Sequence, residues 1–212
     1  ELKGFERMKL SQRILGIKPS ATFAVDAKAK ELASLGKDVI SFGAGEPDFD
    51  SPPAALEYAR KAMEKGKTHY TPTPGIPELR EEICAYYKKR FRLDYSLNQV
   101  VVGCGAKPCI YEALASIIDP GDEVIVLAPT WVSYLEQIQL LEGKVVVVDT
   151  QDKGFVPALE EIEALITERT VAILLNSPSN PTGVMLDPDT IKGIGEITMK
   201  HDLWLLWDEI YE

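Results

Sequence analysis

Asp208 is the residue of this chain whose setting asks for chemistry. It follows an apolar run, Leu203-Trp204-Leu205-Leu206-Trp207, and precedes Glu209-Ile210-Tyr211. Five apolar residues in a row read as a short strand buried on both faces, which delivers a carboxylate at its C-terminal end. In an open α/β sheet, ligands sit beyond the carboxyl ends of the strands, so an acid there faces a crevice and not the core. A carboxylate in that place needs a cationic partner, and the protonated ring nitrogen of a cofactor would serve. The competing reading has Asp208 only capping the turn after a strand.

Two further stretches suit a ligand. In Val101-Val102-Gly103-Cys104-Gly105-Ala106-Lys107-Pro108 a strand runs through glycine and small residues into a helix. Free backbone N–H groups and the positive helix end then meet at one point, which suits a phosphate. The pattern is neither a Walker sequence nor G-x-G-x-x-G, so a plain tight turn fits it equally well, and Lys107 either adds charge to a phosphate or lies on the surface. Asn176-Ser177-Pro178-Ser179-Asn180-Pro181-Thr182-Gly183 follows the apolar run Val171 to Leu175. Two prolines and a glycine restrict this loop, so the Asn180 amide meets a ligand with little entropy left to lose.

The elements that must position these residues follow from apolar rhythm and breakers. Helices are predicted over 21–32, ended by Gly36, over 54–65, ended by Gly66, and from Pro77 to about Arg92, with Pro19-Ser20 as a helix start. Val39-Ile40-Ser41-Phe42 reads as a short strand running into a glycine- and proline-rich loop over 43–53. After Asn98 the chain alternates short strands (100–102, 123–127, 144–149, 171–175, 203–207) with helices (106–118, 131–141, 157–166, 187–200). That alternation predicts an α/β fold with a mostly parallel sheet wound by crossover helices.

With 212 residues, 45% of them hydrophobic, the chain is long enough to bury a real core. A formal net charge of -10 argues against nucleic acid or an anionic membrane as partner, since both repel an acidic protein. Cys84, Cys104 and Cys109 form no C-x-x-C pair and leave an odd thiol, which argues against a disulfide framework or a zinc site and for a reducing, cytoplasmic setting. No metal site is expected.

Six separated motifs, in order, resemble the fold-type I pyridoxal-phosphate enzymes, specifically the class I aminotransferases of the bacterial aspartate aminotransferase type. They are Gly43-Ala44-Gly45-Glu46-Pro47-Asp48-Phe49; His69-Tyr70-Thr71-Pro72 with Gly75-Ile76-Pro77-Glu78-Leu79-Arg80; Asp119-Pro120-Gly121-Asp122-Glu123-Val124; Pro129-Thr130-Trp131; Asn176 to Gly183; and Asp208-Glu209-Ile210-Tyr211. The resemblance implies pyridoxal 5'-phosphate as cofactor and amino-group transfer between an amino acid and a 2-oxo acid. It implies that Gly105, Ala106 and Lys107 form the phosphate loop and that Trp131 stacks on the pyridine ring. Asn180 and Tyr211 would hydrogen-bond the ring's phenolic oxygen, and Asp208 would partner the ring nitrogen. Gly45 would contact the substrate's α-carboxylate, with Trp131 and Asn180 also on the substrate side. Tyr70 would reach the phosphate in a neighbouring subunit, which implies a homodimer.

The same resemblance implies an N-terminal arm and part of a small domain over 1–50, and a cofactor-binding large domain over 51–212 that is incomplete at its C-terminus. The family's Schiff-base lysine and its substrate-clamping arginine come after the D-E-I-Y motif, so they are expected beyond Glu212. The chain is accordingly expected to be the front part of a longer protein, inactive by itself. Other fold-type I enzymes, a β-lyase or a synthase, and the ligand-sensing domain of a transcription regulator are the alternatives. His69 and His201 read as structural or surface residues, and Cys104 and Cys109 as small packing residues. Trp204 and Trp207 read as core or domain-contact aromatics, and the acidic run over 159–163 as a solvated helix face.

Overall fold

A computed structural model describes residues 9–17, 21–42, 45, 47 and 49–212. The expected helix start at Pro19-Ser20 and most of the Gly43 to Asp48 motif lie outside the described residues. In chain order the elements are α1 (Gln12–Gly16), α2 (Ala21–Ser34), α3 (Pro53–Glu64), α4 (Pro77–Phe91), α5 (Ala106–Ala115), β1 (Glu123–Ala128), α6 (Val132–Leu140), β2 (Lys144–Asp149), α7 (Leu159–Ala164), β3 (Thr170–Asn176), α8 (Pro188–Lys200) and β4 (Trp204–Asp208). They fall into two compact units, one holding Cys104–Glu212 with α1, the other Ala21–Gly103.

In the second unit, proline at the first helical position starts α3 and α4, where its missing N–H costs nothing. Arg92 ends α4 in the left-handed conformation at φ 60°. The Gly75 to Arg80 motif has a mechanical role here. Gly75 sits at φ 101°, and a Cβ added to it would lie 2.8 Å from the Cβ of Val102, so only glycine fits. The Arg80 guanidinium then donates to the carbonyls of Val100, at 2.9 Å, and Leu97. The strands predicted at 39–42 and 100–102 do not form. Both stretches are apolar, but neither has a neighbouring strand among the described residues, and without a ladder an extended segment remains a loop. Ile40 and Phe42 are accordingly exposed.

The first unit is built on a parallel sheet in the order β2-β1-β3-β4. Each strand is an apolar run, and helices cover both faces. Leu114 of α5 and Tyr134 and Ile138 of α6 pack with Val124, Val126, Ala172 and Leu174 on one face. Ile162 of α7 and Ile194 and Ile197 of α8 pack with Ile125, Val148, Ile173 and Leu175 on the other. Burying each such Val, Leu or Ile side chain stabilises by roughly 1.5–3 kcal/mol. The strands therefore follow the expected positions within a residue or two. Helix α8 begins as its sequence dictates, with Asp187 accepting from Thr190 N at 2.9 Å and Pro188 next.

Strand β4 departs from expectation. It lies at an edge of the sheet among the described residues, so Leu205 and Leu206 pack inward while Trp204 and Trp207 are 63% and 40% exposed. Helices cover it on both faces only at its centre, through Leu206 on one side and Leu205 on the other, and the two tryptophans are not core residues. Cys104 is likewise exposed and Cys109 half-buried, so Cys104 does not pack as expected. His201 meets Glu163 at 2.8 Å as a structural residue, and Glu160 and Glu161 face solvent beside buried Ile162, as the acidic run predicts. No helix among the described residues is long and apolar enough to cross a membrane.

Candidate active site

The sheet order fixes where a ligand would lie. The chain passes from β1 outward to β2 and then returns to place β3 on the other side of β1, so the connections diverge at the carboxyl ends of β1 and β3. A crevice opens at such a switch point. Side-chain alternation then selects what faces it. Asn176 lies two residues beyond Leu174, and Asp208 two residues beyond Leu206, so both continue the face that packs on α5 and α6. Asn176 and Asp208 are also direct register partners across β3 and β4.

A cavity of about 140 Å³ lies there, lined by Ala106, Trp131, Tyr134, Asn176, Asn180, Asp208, Ile210 and Tyr211. Five of these were predicted from sequence as site residues: Ala106, Trp131, Asn180, Asp208 and Tyr211. They arrive from four segments. Ala106 is the first residue of α5, whose start no side chain caps, and Gly105 before it adopts φ 100° with open space where a Cβ would be. First-turn N–H groups of α5 thus have no competing side-chain acceptor. Lys107 is exposed, and its ammonium lies 5.0 Å from the centre of the Trp131 ring, a cation–π contact. Gly45 and Tyr70 belong to the other unit, where both are exposed.

Asp208 is held from three sides. The Tyr134 hydroxyl donates to its Oδ2 at 2.5 Å, the Ile210 N–H donates to its Oδ1 at 3.0 Å, and its own carbonyl accepts from Asn176 Nδ2 at 2.9 Å. The Ile210 bond means that Asp208 does cap the turn after its strand, alongside lining the cavity. Burial first, then the bond to Asp208 and the charges of Asp208 and Tyr211, push the Tyr134 phenol far above its usual range. It therefore stays protonated and can only donate to the carboxylate. Tyr134 also meets Trp131 edge to face, with ring centres 5.2 Å apart. Opposite, Asn180 N donates to Asn176 Oδ1 at 2.7 Å, and Asn180 Nδ2 donates to the Tyr211 hydroxyl at 3.3 Å.

Sequence reasoning missed three of the lining residues, Tyr134, Asn176 and Ile210. The signal for Tyr134 is its place in the first turn of α6, next to the Trp131 that precedes that helix. Asn176 opens a motif that sequence singled out, but its bond to the Asp208 carbonyl is tertiary and leaves no local trace.

The sequence profile described as Aminotransferase class I and II matches residues 37–212. The chain is 45% identical over 204 residues to the aspartate/prephenate aminotransferase of Thermus thermophilus, covering 96% of this chain and 53% of that protein. It is 44% identical over 206 residues to the aspartate aminotransferase of Bacillus subtilis, covering 97% and 52%. The structure of aspartate aminotransferase from Thermus thermophilus with maleate superposes at a TM-score of 0.94 and 44% identity, over 97% of this chain and 54% of that one. The chain thus spans about half the length of the curated relatives it matches. Parallel strands with helices on both faces and a motif-lined crevice at their carboxyl ends agree with these matches, and the chain belongs to the class I and II aminotransferase family, on the fold-type I architecture of pyridoxal-phosphate enzymes.

Proposed function

We propose that the protein is a pyridoxal-phosphate-dependent aminotransferase, similar to aspartate aminotransferase, that moves an amino group between an amino acid and a 2-oxo acid. The carrying observation is that five side chains or backbone positions picked from separate motifs line one cavity. That cavity suits the cofactor: an uncapped helix start for a phosphate, an indole wall for a flat ring, a carboxylate, and an amide with a phenol. Bound there, pyridoxal phosphate supplies an electron sink in its ring.

The chain's own groups have distinct duties in this reading. Backbone N–H groups at Gly105, Ala106 and Lys107 bind the phosphate. Asp208 holds a proton on the ring nitrogen, because a nearby negative charge favours the protonated form. Trp131 keeps the ring flat and sheds water from one side, and Asn180 and Tyr211 hold the phenolic oxygen. Gly45 meets the substrate carboxylate through its backbone, and Tyr70 serves the site of a second subunit in a homodimer. The division into 1–50 and 51–212 and a cytoplasmic location, in keeping with free thiols at Cys84, Cys104 and Cys109, belong to the same proposal.

The full-length protein, loaded with pyridoxal phosphate and given aspartate and 2-oxoglutarate, is expected to show ping-pong transfer with separable half-reactions. A loaded protein that completes no half-reaction with any of a panel of dicarboxylic, aromatic and aliphatic amino acids overturns the proposal. Sedimentation of the full-length protein tests the dimer.

A further inference from the structure

The hydrogen bonds around the cavity form a connected series from Tyr134 through Asp208, Asn176 and Asn180 to Tyr211. Asn176 is the link in the middle, and its chemistry is unusually constrained. Its Oδ1 accepts from a backbone N–H and its Nδ2 donates to a backbone carbonyl, so the orientation of its amide is dictated by partners that cannot exchange roles. A carboxamide donates and accepts from one rigid plane, with the two atoms on one carbon. Aspartate can only accept when ionised, and serine is too short to span both partners.

We propose that Asn176 is a positioning residue: it ties the end of β4, which carries Asp208, to the loop that carries Asn180, and so sets the acid and the amide-phenol pair at a fixed separation across the cavity. The proposal rests on the cofactor reading above. In that reading the two groups bind two fixed positions of one rigid ring, so an error in their separation cannot be absorbed by the ligand. Misplacement of about 1 Å in such a constellation is costly even when every contacting group is present. Removal of the Asn176 carboxamide also leaves the Asn180 N–H and the Asp208 carbonyl without these partners.

The test uses the full-length protein and measures the pyridoxal phosphate dissociation constant by equilibrium dialysis, the visible circular dichroism of the bound cofactor, and the melting temperature of the cofactor-free form. Asn176→Ala breaks both links, whereas Asn176→Asp keeps an acceptor for Asn180 N and breaks the link to Asp208. Expected is weaker binding, by about tenfold or more for Asn176→Ala and less for Asn176→Asp, which corresponds to the loss of about one net hydrogen bond or two. The circular dichroism band should shrink in both, because the ring loses its fixed tilt. If both variants bind with wild-type affinity and an unchanged band, the positioning role is overturned, whatever happens to the melting temperature. Should Asn176→Ala fail to fold, Asn176→Asp decides alone by the same two readouts. A wild-type protein that binds no pyridoxal phosphate instead overturns the function proposed above, which separates the two failures.

Discussion

Two of the carboxylates on the four strands, Glu123 at the amino end of the sheet and Asp208 at the carboxyl end, are treated in opposite ways. At the amino end, Glu123 begins β1 and is 6% exposed. Its Oε1 accepts from Lys144 at 2.7 Å and its Oε2 from the Thr167 hydroxyl at 2.7 Å, while its backbone N–H donates to the Arg169 carbonyl at 2.8 Å. Lys144 and Thr170 are its register partners on the adjoining strands, so the cluster is assembled by the sheet and consumes its own charge. At the carboxyl end, Asp208 is held just as firmly, by a phenol and by a backbone N–H. The neighbours that hold it, however, also wall a cavity. None of them is cationic, so the negative charge of Asp208 is steadied without being neutralised by the fold. A carboxylate completed by a cation has a structural task, and one oriented by neutral donors beside a cavity has a charge to offer.

Substitutions should separate the two ends. The largest expected effect is Asp208→Asn, which preserves shape and removes the charge. In the full-length protein, on the function proposed above, we expect a loss on the order of 10²–10³ in kcat, comparable to removal of a preorganised electrostatic group, with a melting temperature close to wild type. A large fall in melting temperature with kcat intact would make Asp208 the equal of Glu123 and erase the contrast. Tyr134→Phe is next, since it leaves Asp208 in place but unsteadied. About a tenfold loss in kcat is expected, alongside a destabilisation of about 1 kcal/mol in urea unfolding.

At the other end, Glu123→Gln should leave kcat unchanged and cost about 1–2 kcal/mol in urea unfolding, because a buried charge-assisted pair of hydrogen bonds is weakened. Its pH behaviour sharpens the point. Bonds from Lys144, then from Thr167, hold the Glu123 carboxyl below the ordinary glutamate range. A depressed folded value means that this contribution is fully present above the unfolded value, about 4.3, and is lost as the pH falls through the lower folded one. The acid limb of stability against pH should therefore be shallower in Glu123→Gln than in wild type, and an unchanged limb would count against the pairing. The smallest effect belongs to Lys144→Met. The Lys144 side chain is 67% exposed, so water screens the pair and roughly 0.5 kcal/mol is expected.

The same contrast explains what could be read from the chain without coordinates. Strands β1 to β4 were legible because each is an apolar run of the right length between breakers, and burial is what such runs are for. Val39 to Phe42 and Val100 to Val102 carry the same local signature and still form no strand, because a strand is defined by a partner that lies elsewhere in the chain. Asp208, Asn180 and Trp131 could be found by motif. Asn176 and Glu123 lie in motifs too, but their tasks come from partners dozens of positions away, such as Asp208 and Thr167. Trp204 and Trp207 are not core residues among the described residues, because hydrophobicity states what a residue prefers and not which neighbours meet it.

Synthesis on the ribosome runs from the amino end, and the crevice inherits that direction. Ala106 and Trp131 emerge before Asn176 and Asn180, and Asp208 and Tyr211 come last of the lining residues. A nascent chain halted before β4 has the helix start and the indole but lacks both the acid and the final phenol. Any molecule that needs both ends of the cavity thus finds no complete receptor until Tyr211 has cleared the exit tunnel.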